Sequence, residues 1–312
     1  MNFVDRKFYS LVKEIEGLSF EKLYDKIVFN YKFLPSNYRN ILEDYFKKFN
    51  FWGSLSEKDG NFEEIELKVK VLKSNLKDFV WMYKKLEDYT SKFLLYSILR
   101  NWVYYDFTSL GQIVSPKCFK HYFDLNLIRD CKNEVFVDVG AYVGDSTLDF
   151  ISTYGEDCYK KIYCYEITDG IISSLKENLK KHDKIEIVNK AVGEKDEEIF
   201  LSENLNDNSA NRTTKDFGKS VPLTSLDLDV KEKITMIKMD IEGDEEKAIR
   251  GARRHIANDS PKLLLSVYHK NEDYFKIAKL VYSYNKNYKF YLRNYGSNLY
   301  PTEIVLFALP KT

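Results

Sequence analysis

An acidic residue, two glycines and a helix start follow one another in Val137-Asp138-Val139-Gly140-Ala141-Tyr142-Val143-Gly144-Asp145-Ser146, at the end of the apolar run Val135 to Val139. Glycine lets a backbone turn tightly and lie against a ligand with no Cβ in the way, and parallel sheets bind ligands at the C-terminal ends of their strands. The segment Val135 to Ser146 therefore reads as a strand turn for a nucleoside cofactor, with Asp138, Gly140, Tyr142 and Gly144 on the ligand side. Asp138 has a second reading, as a buried acid held by a structural salt bridge or hydrogen bond. The spacing departs from G-x-G-x-x-G, and Asp145 and Ser146 offer helix-capping oxygens, so a phosphate cradle is the less attractive use of the turn. Glu166 ends the next apolar run, 22 positions beyond Gly144, where an acid accepts hydrogen bonds from both ribose hydroxyls. The third run leads into Ala191, small enough to edge an adenine ring.

A second group of residues suits proton transfer and acceptor binding. His269 follows the fifth apolar run and is the first candidate for a general base, because an imidazole titrates near working pH; Asp240, at the end of the fourth, is the second candidate and also faces the cofactor crevice. Asp240, Glu242 and His269 together would suit a hard divalent cation. The acids after Asp240 have a plainer explanation, since Glu245 and Glu246 fall in the first turn of a helix, where the macrodipole favours them. A metal is thus possible but not favoured, and Glu242 is read as a ligand for substrate hydroxyls. Arg293 and Tyr295 share a strand face by two-residue alternation. The Arg would grip an acidic or phosphorylated acceptor, or pair with Glu303 across a hairpin. Asn208 to Arg212 are a further candidate for the acceptor wall.

Elements must exist to position these groups. From Phe3 to about Tyr105 the pattern is helical: Leu72, Leu76, Phe79, Val80, Tyr83 and Leu86 recur at spacings of three and four, the mark of a packing helix. An earlier helix runs from about Phe20 to Phe33. Turns at Pro35-Ser36-Asn37 and Asp59-Gly60 imply three or four helices in all, serving as packing, a lid or a dimerisation surface. From Glu134 the apolar runs Val135 to Val139, Ile162 to Tyr165, Ile185 to Val188, Met236 to Met239 and Leu263 to Val267 alternate with helical stretches Thr147 to Tyr154, Ile171 to His182 and Glu245 to Ala257. That alternation predicts an α/β domain with a parallel sheet, and Phe290 to Tyr295 with Glu303 to Leu309 add a terminal antiparallel hairpin. The expected division is a helical region over residues 1–115 and a Rossmann-like domain over residues 116–312.

Composition removes several function classes. Of 312 residues, 48 are Lys or Arg and 48 Asp or Glu, so no overall field draws the chain to nucleic acid. The four cysteines, Cys118, Cys131, Cys158 and Cys164, show no C-x-x-C spacing and read as reduced thiols, which points to the cytoplasm. No stretch approaches the roughly 20 apolar residues of a membrane-spanning helix, so a soluble protein is expected.

The runs Glu134 to Thr147, Ile237-Lys238-Met239-Asp240-Ile241-Glu242-Gly243, Ser266-Val267-Tyr268-His269 and Tyr291-Leu292-Arg293-Asn294-Tyr295, in this order, resemble the FkbM-type methyltransferases, a branch of the class I S-adenosylmethionine-dependent enzymes. The resemblance covers roughly Cys118 to the C-terminus and leaves the helical region unassigned. It implies S-adenosylmethionine as cofactor, its amino acid part contacted by Asp138, Gly140 and Gly144 and its ribose by Glu166. It also implies O-methylation of a sugar, nucleotide-sugar or related small molecule, in surface-polysaccharide biosynthesis. Tyr142, Asp145, Ser146, Ala191 and Asp240 complete the expected cofactor set, and Glu242, Arg293 and Tyr295 the substrate set. A possible homodimer is expected, and no nucleic-acid partner. Two other readings stand beside it: a non-catalytic nucleoside-binding scaffold in a glycan-assembly complex, and a nicotinamide-dependent dehydrogenase, against which the departure from G-x-G-x-x-G counts.

Overall fold

The structure, a computed structural model, describes residues 1–49, 52–114, 119–202, 212–214 and 219–311. The candidate acceptor residues Asn208 to Arg212, apart from the backbone of Arg212, and Cys118 lie outside the described residues. The chain forms two compact units. The first comprises Met1–Ser115 with Val267–Lys276 and Phe290–Ile304, and the second comprises Pro116–Ser266 with Ile277–Lys289 and Val305–Thr312.

Helices dominate the first unit. Helix α1 (Phe3–Gly17) opens with a capping box in which Asn2 and Asp5 satisfy each other's backbone amides, and it buries Val4, Phe8, Leu11, Val12 and Ile15 along one stripe. Helix α2 (Phe20–Lys32) starts at the Ser19 cap, and α3 (Ser36–Lys48) follows Pro35. A two-stranded hairpin, β1 (Leu55–Ser56) and β2 (Asn61–Phe62), turns at Asp59-Gly60 and leads into α4 (Glu63–Lys85), which kinks at Asn75. Helix α5 (Tyr89–Tyr104) is capped by Asp88, and α6 (Phe107–Gly111) by Asp106. Among the described residues, the span from Phe3 to about Tyr105 holds five long helices where three or four were expected, and the short α6 follows it. Leu18-Ser19 separates α1 from α2, a break that the sequence reading did not mark.

Polar groups secure this packing. Lys73 on α4 donates to the Leu18 carbonyl at 2.6 Å and the Ile15 carbonyl at 3.0 Å, satisfying the open end of α1. Deeper in the unit, Glu64 and Lys68 form an ion pair with both side chains 1% exposed, and the ammonium lies 5.1 Å from the Tyr300 ring centroid and 5.6 Å from that of Tyr105. Burial raises the Glu64 carboxyl above its ordinary range, against the pull of Lys68.

Seven strands pair into one larger sheet. Its strands are β3 (Glu134–Val139), β4 (Tyr159–Tyr165), β5 (Ile185–Val188), β10 (Met236–Met239), β11 (Lys262–Ser266), β12 (Tyr288–Asn294) and β13 (Ile304–Pro310), in the order β12-β13-β11-β10-β3-β4-β5. Strands β5, β4, β3, β10 and β11 pair in parallel, and β13 runs antiparallel to β11. Helices α7 (Asp145–Tyr154) and α8 (Asp169–Leu179) join the strands on one side of β3. On the other side come α9 (Leu226–Asp229), α10 (Glu245–Arg250), α11 (Arg253–Asn258) and α12 (Asp273–Tyr284). The expected α/β class and terminal antiparallel strand are present. The stretch Glu245 to Ala257, expected as one helix, is two, divided at Gly251, where a Cβ would fall 1.8 Å from the Gly193 carbonyl oxygen.

A second sheet was not expected. Strands β6 (Ala191–Val192), β7 (Glu197–Ser202), β8 (Arg212–Thr214) and β9 (Lys219–Thr224) pair in the order β6-β9-β7-β8, within the connection from β5 to β10.

The buried pair in α4 makes a quantitative test of the first unit. Lys68→Met leaves the Glu64 carboxylate without its counter-charge and should cost about 3 kcal/mol of stability, read as a lower urea midpoint. Glu64→Gln combined with Lys68→Met should recover most of that loss, and equal losses in the single and double variants would show that the pair is not what stabilises the helix.

Candidate functional site

Parallel pairing aligns three strand ends. Val139 pairs with Tyr165 on β4 and with Met239 on β10, so Gly140, Glu166 and Asp240 each follow the last paired residue of a strand at one edge of the sheet. The amides of Gly140 and Ala141 both donate to the Tyr165 carbonyl, at 3.1 and 3.0 Å, drawing the turn after β3 across the end of β4. Gly140 has φ +77°, and a Cβ there would lie 2.0 Å from the Asp240 carbonyl oxygen, so only glycine fits. Gly144 has φ +87°. Between them Tyr142, a non-glycine at φ +48° and 37% exposed, carries backbone strain at the ligand edge.

The acid of the motif faces inward. Asp138 is fully buried; its Oδ2 accepts from Ser146 Oγ at 2.6 Å and Thr147 Oγ1 at 2.8 Å, and its Oδ1 lies 3.1 Å from Lys238 Nζ. The same ammonium donates to the Gly140 carbonyl at 2.6 Å. Burial alone would push the Lys238 ammonium down, but Asp138 and Asp240 outweigh it and the group is held above the ordinary lysine range. Of the two sequence readings of Asp138, this geometry matches the structural salt bridge. The expected capping by Asp145 and Ser146 takes another form. Gly144 occupies the cap position of α7, and the Ser146 hydroxyl is turned to Asp138.

Glu166 is held by three backbone amides. Its Oε2 accepts from Tyr142 at 3.0 Å, and its Oε1 from Ile167 and Thr168, each at 2.8 Å. The side chain is 8% exposed. Charge-assisted bonds of this kind fix the carboxylate and leave lone pairs on Oε2 for a ligand hydroxyl.

Asp240 has partners that sequence reasoning did not name. Tyr122 donates its hydroxyl to Asp240 Oδ2 at 2.6 Å and lies 3.2 Å from Ser266 Oγ. The Tyr122 ring stacks on His121 at 3.9 Å between centroids, with Lys238 Nζ 5.4 Å from its own. The segment from His121 to Ile128 reads as a connector in sequence, and its contact with Asp240 spans 118 positions. The legible signal was Lys238 itself, a charge inside the apolar run Met236 to Met239. Glu242, at φ +56°, and Gly243, at φ +101°, form the turn after β10. Glu245, fully buried, closes it by accepting from the Ile241 amide at 2.9 Å. Asp244 and Glu246 pair with Lys247 and Arg250, each at 2.6 Å, as first-turn acids of a solvated helix do. Ala191 is buried and pairs with Leu223 in the second sheet.

The other expected residues belong to the first unit. His269, three residues beyond β11, is 3% exposed with its ring 4.2 Å from that of Tyr268. Arg293 is buried; it donates to Asp88 Oδ2 at 2.7 Å, Ser91 Oγ at 3.1 Å and its neighbour's carbonyl at 2.9 Å. These bonds tie β12 to the start of α5. Tyr295 is half-buried, its amide bonded to the Glu303 carbonyl at 3.1 Å.

Burial pushes the His121 imidazole down to about 4, with Lys238 adding to the shift and Asp240 and Asp149 opposing it. The unfolded chain takes up this proton near pH 6.5 and the native state near pH 4, so acidification across that interval favours unfolding. His121→Gln should therefore flatten the fall in urea midpoint between pH 6.5 and 4, while an unchanged slope would place the imidazole in solvent.

The Methyltransferase FkbM domain family matches residues 138–299, slightly more than half of the chain. No curated protein matches the sequence significantly. Among solved structures, the chain is similar to the methyltransferase FkbM of Methylobacillus flagellatus KT, with 23% identity, a TM-score of 0.66, and 80% of this chain and 63% of that one covered. The chain thus spans less than two thirds of that protein's length. An rRNA methylase from Streptococcus thermophilus matches at 11% identity and a TM-score of 0.40, covering 60% of this chain and 92% of its own. Aeropyrum pernix fibrillarin, crystallised with natively bound S-adenosyl-L-methionine, matches at 11% and 0.37, covering 57% and 67%. The first of these is a likeness of fold, and the other two superpose too loosely to carry an argument. The family match begins at Asp138 and contains the turn after β3, Glu166, Asp240 and His269. The chain belongs to the FkbM methyltransferase domain family.

Proposed function

We propose that the protein transfers a methyl group from S-adenosylmethionine to a hydroxyl of a sugar, nucleotide-sugar or related small molecule, in the cytoplasm and in surface-polysaccharide biosynthesis. The observation that carries this reading is the alignment of Gly140, Glu166 and Asp240 at one edge of the sheet, after the last paired residues Val139, Tyr165 and Met239. Glu166, fixed by three amides, would receive the ribose hydroxyls on Oε2. The cramped turn from Gly140 to Gly144 would bring backbone close to the donor's amino acid part. The adenine would lie toward the end of β5 and Ala191. Free thiols at Cys131, Cys158 and Cys164 accord with a reducing compartment. Among the described residues no helix is long and apolar enough to cross a membrane.

In the reaction the acceptor oxygen attacks the donor's methyl carbon as the bond from that carbon to sulfur breaks. The sulfonium leaves as the neutral thioether of S-adenosylhomocysteine, and the acceptor's proton passes to a base. His269 is the first candidate for that base and Asp240, whose carboxylate Tyr122 orients, the second. Glu242 and Tyr295 are candidates for acceptor hydroxyls. No step is assigned to a metal.

Calorimetry with S-adenosylmethionine tests the donor assignment. Glu166→Ala should weaken binding at least about tenfold through loss of the charged ribose acceptor, and absence of binding to the unaltered protein at millimolar donor would defeat the reading. Mass spectrometry of nucleotide sugars incubated with donor and protein should find one that gains a single methyl group. With that acceptor, His269→Ala should cut turnover about 100-fold while donor binding persists; an unaffected rate would pass the role of base to Asp240.

A further inference from the structure

Lys238 is a charged side chain, 3% exposed, on a central strand between the buried apolar Ile237 and Met239. It pairs in register with Asp138 on β3, so the two side chains stand on one face of the sheet. A buried ammonium has three donors to satisfy, and one carboxylate oxygen does not answer them all. The shorter bond of Lys238 goes to the neutral Gly140 carbonyl, at 2.6 Å against 3.1 Å to Asp138 Oδ1. Gly140 is the residue that turns the chain out of β3 with φ +77° and lies against the Asp240 carbonyl. The peptide that follows it presents the Ala141 amide to Tyr165. Rotation of that peptide would break the lysine bond and the amide bond together, so the ammonium holds the peptide plane in one of its two possible senses.

We propose that Lys238 is a positioning residue for the donor, holding the Gly140 carbonyl and with it the turn from Gly140 to Gly144 in the shape that receives S-adenosylmethionine. The inference rests on the donor reading above. A compact ammonium with three rotatable donors suits this place, because it meets two acceptors and the Tyr122 ring at once. A turn fixed before the ligand arrives does not lose conformational freedom on binding, and the gain appears as affinity.

The experiment is calorimetry with S-adenosylhomocysteine on the full chain, with urea unfolding measured in parallel. Asp138→Asn, which keeps the lysine on the Gly140 carbonyl, should bind more tightly than either protein that lacks the lysine. Lys238→Met should bind at least about tenfold more weakly than the unaltered protein. This variant leaves Asp138 buried without its counter-charge, so Asp138→Asn with Lys238→Met is the deciding protein. It should regain most of the lost stability and none of the lost affinity. Recovery of affinity along with stability would reduce Lys238 to a counter-ion, and Asp138→Asn binding as weakly as the double variant would move the effect to Asp138; either overturns the proposal. No binding by the unaltered protein would instead defeat the donor reading, which separates the two failures.

Discussion

A buried carboxylate facing a buried ammonium across two central parallel strands is the constraint on which the second unit depends. Asp138 and Lys238 are both all but inaccessible to water, and removing two charges from water costs several kcal/mol per ion, which their partners must answer. Here the answers come from separate elements. The first turn of α7 supplies the hydroxyls of Ser146 and Thr147, β10 supplies the ammonium, and the turn after β3 supplies the Gly140 carbonyl. Thr147 Oγ1 also lies 3.3 Å from Cys164 Sγ on β4. The first turn of α7 and β10 are therefore held to the carboxylate directly, and the turn after β3 is held through the ammonium.

Strain collects where that network meets the strand ends. Tyr122, Tyr142 and Glu242 are non-glycine residues with φ of +69°, +48° and +56°, each at a cost on the order of 1 to 3 kcal/mol. Such conformations persist when surrounding bonds determine them. The Tyr122 backbone is held by its hydroxyl on Asp240 and its ring on His121, Tyr142 by its amide on Glu166, and Glu242 by the Glu245 carboxylate closing the same turn. Acids at or just beyond the strand ends thus serve also as anchors for the loops beside them.

What was legible in the sequence follows from the range of each interaction. The alternation of apolar runs and helices is local, and so the five parallel strands and the placing of Glu166 and Asp240 at strand ends could be read directly. The glycines of the turn were legible for the same reason. The inward direction of Asp138 was open between two readings, because its partner Lys238 is 100 positions away and only strand register brings them together. Tyr122 and His121 escaped notice because they lie in a segment without periodicity. Helix α12 and the sheet of β6 to β9 were missed. The strands of that sheet are short, and Pro222, Glu197 and Glu198 within them work against a strand reading from composition. Arg293 drew attention as a donor fork, yet its partner Asp88 lies 205 positions earlier in the chain.

The same bookkeeping of charge distinguishes the two halves of the proposed reaction. Asp138 faces Lys238 inside the sheet, while Glu166 and Asp240 stand at the strand ends where the donor is proposed to bind. A sulfonium donor is a cation there and gains from an edge of negative sign, more strongly where water is scarce. Methyl transfer discharges the sulfonium, and the thioether that remains loses that attraction. In the proposed reaction such an edge would favour the charged donor over its spent product. The proposed acceptor candidates Glu242, His269 and Tyr295 stand just beyond strand ends. The residues proposed for the donor are thus fixed by strand register, and those proposed for the acceptor stand in loops.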